Sequence, residues 1–166
     1  MARLRHALEA IVFARRYTVE LLDTIDPADW FRMPTEGITH VGWQVGHLAM
    51  AEFRLCLERV RGPRPDDPDL TPPALLTAFG RQSVVYADPA AYPSPADIWA
   101  VFDRVHERVL ADLADWPDAD LDNPILTTHR FCRTKIDAVR WCSAHEMIHA
   151  GQIGLLRRLF GMPPVW

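Results

Sequence analysis

The stretch "RWCSAHEMIHAGQIGLLRRLFG", residues 140–161, carries the side chains best suited to chemistry: His145 and His149, four apart, with Glu146 between them. On a helix this spacing stacks two imidazoles on one face, their Cβ atoms about 6 Å apart, so both rings can reach a single ion. His-Glu-x-x-His is also the signature of zinc peptidases, where the Glu is the general base. Those enzymes need a third ligand downstream, a His in a longer motif or a Glu on a following helix. Here Gln152 stands where the longer motif has Gly, and Leu155 where it has the third His. The 17 residues after His149 contain no Asp, Glu or His. A peptidase is therefore the weakest of the readings, testable by chelator-sensitive cleavage of casein or a peptide.

A third ligand has to come from upstream, and His47 is the best candidate. It lies in "WQVGHLAMAEF", where Trp43, His47, Met50 and Arg54 share a helical face. Gly46 beside it removes a side chain and lets a neighbouring helix or a ligand come close. Helical bundles build metal sites in this manner, from inward-pointing residues on facing helices.

Taken together, "GHLAMAE" around His47 and "HEMIHAGQIGLLRRLFG" around the other pair resemble the DinB/YfiT-like superfamily of metalloenzymes. The likeness covers nearly the whole chain in helix order and number. Its most specific part is G-H-L on a second helix, then H-x-x-x-H followed by G-Q-I on a fourth. It implies an all-α four-helix bundle running up-down-down-up, with a long crossover between helices two and three. It also implies a divalent metal held by His47, His145 and His149, and a homodimer; zinc or nickel is the expected ion, although imidazole sites accept iron and copper too. Relatives include S-transferases that use low-molecular-weight thiols, a thiol-dependent isomerase, and proteins described as hydrolases.

Three neutral imidazoles leave an open coordination position, which is the pattern of a catalytic rather than a structural zinc site. Water or a thiol bound there is a nucleophile at neutral pH, able to attack a small electrophilic substrate. Two rival readings are a non-catalytic metal-binding or ligand-sensing dimer and a plain dimeric bundle with buried histidines, which would take up no stoichiometric metal. Glu146 is a candidate base, with hydrogen bonding to a ring nitrogen or plain solvation as the alternative. Gln152 falls on the His149 face and could meet substrate, or make a polar bundle contact. Cys142, three residues before His145, reads first as a small buried residue and second as a fourth ligand. His40 reads as a capping or surface residue. His6, His106 and His129 lack partners at useful spacing and read as surface or core. Trp43 and Phe53 could wall a pocket, although aromatics at helical spacing are usually core.

Four segments must position these groups. Residues 3–23 place Leu4, Leu8, Ile11, Val12, Arg15, Val19 and Leu22 at three- and four-residue steps. A second helix, 39–61, has Thr39 as its expected N-cap and stops at Gly62-Pro63. Ser94-Pro95 opens a third, whose stripe is Ile98, Val101, Phe102, Val105, Val109, Leu110 and Leu113. Thr134 opens the fourth, which ends at Gly161 before "MPP". About 32 residues, proline-rich, link the second and third, long enough to travel the length of the bundle and let those two helices run parallel. Within the link, "PPALLTAFGRQSVVY" suggests a short helix across the bundle end; between the third and fourth helices, "NPILTTHRF" (123–131) suggests one short extended piece.

At 166 residues the chain is expected to be a single domain, 1–166, with a proper core. A formal net charge of −4 argues against a nucleic-acid partner. The tight basic pairs, Arg15-Arg16 and Arg157-Arg158, read as solvated helix faces. Three cysteines without disulfide spacing, no signal-peptide core and no bilayer-length apolar run predict a soluble cytoplasmic protein with no membrane partner, acting on a small molecule.

Overall fold

Six α-helices form among residues 2–165, the part of the chain that the computed structural model describes. They are α1 (Ala2–Leu22), α2 (Val41–Glu52), α3 (Asp67–Leu70), α4 (Pro73–Ala78), α5 (Pro95–Leu113) and α6 (Lys135–Leu159). The long helices α1, α2, α5 and α6 pack into an all-α bundle. No strand occurs among the described residues; the expected extended piece supplies only an isolated bridge between Pro124 and Thr134.

Local chemistry sets the helix ends. Ser94 Oγ accepts from the Asp97 N–H at the start of α5, with Pro95 in the first turn. Thr134 and Asp137 form a reciprocal capping box on α6. Gly161 follows that helix at φ +79°, where a side chain would be strained. Of the two residues expected near the start of α2, one caps it. It is His40, not Thr39: the His40 Nδ1 lone pair accepts from the Trp43 N–H at 3.0 Å. The Thr39 hydroxyl instead donates to the His40 carbonyl at 3.4 Å.

The second predicted segment is not one helix type either. After Glu52 the backbone widens into a π-helix, Phe53–Glu58, and the Arg59 N–H donates to the Arg54 carbonyl at 3.2 Å. Short π segments recur at functional sites because they re-aim the residues they contain.

Helix directions follow from which residues meet. Arg15 of α1 reaches Glu146, and Leu21 further along α1 meets Arg157 further along α6, so these helices run the same way. Gln44 meets His149 whereas Glu52 lies with Arg15 and Glu146, so α2 runs against α6. Glu52 meets His106 and Arg61 meets Asp112, so α2 and α5 run together. The connection between those two is pinned at its start: the Arg61 guanidinium, almost fully buried, binds Asp67 at 2.6 Å and Asp112 at 2.7 Å.

The α5 stripe is buried as its periodicity predicts, Leu110 being half-buried. Two expectations for α1 fail. Val12 is 45% exposed, and Arg15 lies in the core rather than on a solvated face. Arg157 is likewise buried, donating to the Leu21 carbonyl and the Thr24 hydroxyl. Neighbouring helical residues point about 100° apart, so each basic pair sends its first member inward and its second outward. Among the described residues no helix is long and apolar enough to cross a membrane.

Candidate metal centre

His47, His145 and His149 converge although about 100 residues of chain separate the first from the pair. One ring nitrogen from each lies within 4.8 Å of the other two, and no further group of this kind occurs among the described residues. His47 and His149 are buried, and His145 is half-buried. The Nε2 atoms of His145 and His149 stand 3.2 Å apart. Two nitrogens on one tetrahedral ion at zinc–imidazole bond lengths stand about 3.3–3.4 Å apart, so the spacing suits a shared cation.

The rings are aimed by partners on their far side. His47 Nδ1–H donates to the Phe79 carbonyl at 2.8 Å. A carbonyl can only accept, which fixes the tautomer and leaves the Nε2 lone pair free. His149 Nδ1–H donates to the Gln44 side-chain oxygen, with the same consequence. Trp43 stacks on His47, centroids 4.7 Å apart and planes at 13°. Trp141 lies 6.4 Å from His145 and packs against Phe131 and His129 on the loop before α6.

Gly46 is explained by the same arrangement. A Cβ there would sit 2.6 Å from the Phe79 ring, so it is the link, rather than a helix or ligand, that makes the close approach.

Electrostatics suit a cation ligand set. Burial, with repulsion from the other rings, pushes His145 down to about 4 and His149 down to about 3. Burial also lowers His47, and the Arg54 cation adds to this against the opposing Phe79 hydrogen bond. All three imidazoles are therefore neutral near pH 7, with lone pairs available.

Glu146 is not among the converging groups. One residue on from His145 it points toward α1, where its carboxylate is buried and takes Arg15 Nε at 2.9 Å. It is neither solvated nor bonded to an imidazole. Arg15 also binds Glu52 at 2.6 Å and the Phe102 carbonyl at 2.9 Å, and Glu52 in turn meets His106 Nδ1 at 2.9 Å. His106 thus has a partner that its spacing did not reveal. Burial raises the Glu146 pKa against the pull of Arg15; burial opposes the Glu52 charge too, but Arg15 and His106 outweigh it and lower that pKa.

Gln152 is exposed, whereas Gln44, not singled out in the sequence, holds His149. Cys142 is buried and lies outside the histidine group; its thiol contacts Cys56, and that contact together with burial raises its pKa well above the usual range. His40 caps α2 in the core, His6 is exposed, and Phe53 is core. The signal for Gln44 was present in weak form, three residues before His47 on one helical face; nothing local pointed to Phe79.

A family model described as the DinB superfamily matches residues 10–153, which contain all three histidines, both tautomer-fixing partners and the Arg15–Glu146 pair. No curated protein matches the chain.

Proposed function

The chain belongs to the DinB superfamily, and on that premise we propose that it is a divalent-metal-dependent S-transferase. In this reading His47, His145 and His149 hold zinc or nickel, and a low-molecular-weight thiol is transferred to a small electrophile. The carrying observation is the convergence of three neutral imidazoles, two with tautomers fixed by Phe79 and Gln44. When bound, such an ion supplies a Lewis-acidic position that stabilises a thiolate at neutral pH.

The residues present divide the remaining tasks. Phe79 and Gln44 hold the ligand rings in register, and Trp43 covers one side of His47. Thiol transfer is favoured over hydrolysis by the position of Glu146. Water activation in His-Glu-x-x-His sites relies on a free carboxylate beside the ion. Here that carboxylate is bound to Arg15, and no carboxylate belongs to the converging group. A thiol, already close to ionisation at neutral pH, needs no such base. We further propose that a second copy of the chain completes a homodimer and that the protein works in the cytoplasm.

Elemental analysis of protein purified without a nickel column tests the metal; about one equivalent per chain is expected, with a loss of most of it in His47→Ala. A panel of thiols with a chromogenic electrophile tests the chemistry. Turnover that needs both thiol and metal supports transfer. Metal-dependent turnover of an ester with no thiol present overturns it in favour of hydrolysis, and metal without turnover on either panel favours a sensing or storage role.

A further inference from the structure

We propose that the pocket beside the metal centre, carrying Arg54 and Arg81, binds the carboxylate of a small organic ligand. The pocket, about 800 Å³, is walled by Arg54 and by residues of the link between 76 and 83; none of the three histidines lines it. Thr77, Gly80 and Ser83 line it and flank Phe79, the residue that holds His47. Ser83 Oγ accepts from Trp43 Nε1 at 2.9 Å, and that indole lies on the His47 ring. The pocket is thus coupled to the His47 ring through Trp43 and Phe79.

The charge is one-sided. No acidic residue lines the pocket. Arg81 is exposed and makes no hydrogen bond or ion pair with any described residue. Arg54 has only Glu58, at 3.9 Å on the same helical stretch, and keeps 40% of its side chain exposed. Both guanidinium groups therefore have donors available to an anion that enters the pocket. Arg54 occupies the second position of the π-helix.

The hydrogen-bonding inventory selects the anion. Phosphate is usually cradled by backbone N–H groups and hydroxyls as well as cations. Here the Thr77 hydroxyl donates to the Pro73 carbonyl and that of Ser83 to the Gly80 carbonyl. What is left are two planar guanidinium groups and the Gln82 side-chain amide, flat donors that match a carboxylate. The pocket stands on its own geometry; only the claim that its ligand is a reactant rests on the proposed function.

Calorimetric titration of the full chain with succinate and with neutral succinamide tests the pocket. Succinate is expected to bind, more weakly at high salt, and to lose about tenfold in affinity in Arg81→Gln and in Arg54→Gln. Arg81→Lys should keep part of the affinity. Equal binding of succinamide, or variants that bind succinate like the parent, overturns the proposal. Mercaptosuccinate identifies the source. Binding tighter than succinate only when metal is loaded assigns the carboxylate to the thiol, and equal binding assigns it to the electrophile. If the protein takes up no metal yet binds succinate through the arginines, the pocket stands and the proposed function falls.

Discussion

Gln44 lends its side-chain oxygen to His149 and does nothing else visible at the site, so its removal isolates one contribution to ligand aim. Gln44→Leu should weaken metal binding by about 10- to 100-fold, measured by competition with a chromophoric chelator, while the helical circular dichroism persists. Gln44→Glu, which keeps an acceptor, should retain most of the affinity. Equal affinity in parent and Leu variant would show that His149 is aimed by packing alone. His40 offers a different reading at the same scale. Burial holds it down to about 4, opposed in part by the carbonyls of Tyr86 and Trp30. Between about pH 6.5 and pH 4 the unfolded chain therefore binds a proton that the folded chain refuses, so stability falls as the solution is acidified. His40→Asn keeps a capping acceptor without a titrating group. Relative to this variant, the parent should lose on the order of 3 kcal/mol between neutral pH and pH 4, read from urea unfolding at several pH values. Parallel pH profiles for the two proteins would sink the assignment.

Helix α2 does more than carry His47, because its glycine admits the link that fixes that ring. Gly46→Ala places a methyl group 2.6 Å from the Phe79 ring, and relief requires Phe79 to move with its carbonyl. A loss of about 1–3 kcal/mol is expected from overpacking, with weaker metal uptake alongside it. Gly154→Ala is the matched control on α6: it has nothing within 4 Å, and Ala is expected to be neutral or to stabilise by up to about 1 kcal/mol. If the two variants unfold alike, Gly46 is not a packing requirement. This element also shows where the sequence was readable. The α5 stripe, its Ser94 cap and the Thr134 start of α6 express local periodicity and capping, which a linear string records directly. The ligand pair was legible for the same reason, being one helical turn apart. The π-helix left no trace, since Phe53–Glu58 has ordinary helix composition and its widening depends on what packs around it. Phe79 and Gln44 contribute through contacts made across 32 and 105 residues, which no spacing rule records.

Across the whole molecule, one buried charge cluster joins all four long helices, and this is where Glu146 belongs. Arg15 of α1 binds Glu146 of α6 and Glu52 of α2, donates to the Phe102 carbonyl of α5 and lies over the Phe102 ring at 3.4 Å. Burying such charges costs several kcal/mol per ion, recovered only while every partner is present. Arg15→Met leaves two carboxylates facing each other in the core, and a loss of about 3–5 kcal/mol in denaturant unfolding is expected. Glu146→Gln is milder, because Arg15 keeps Glu52 and the Phe102 carbonyl. The pair of variants separates a structural Glu146 from a catalytic one. A structural residue lowers stability in both variants and leaves turnover per folded, metal-loaded molecule within a few-fold of the parent. A catalytic base would leave Glu146→Gln stable and cost about 100-fold or more in kcat. Because the cluster contacts the α6 turn that carries His145, partial unfolding of Arg15→Met should release metal and melt the bundle together. Metal release at a denaturant concentration well below the helical transition would show that the site and the charge cluster are not one cooperative unit.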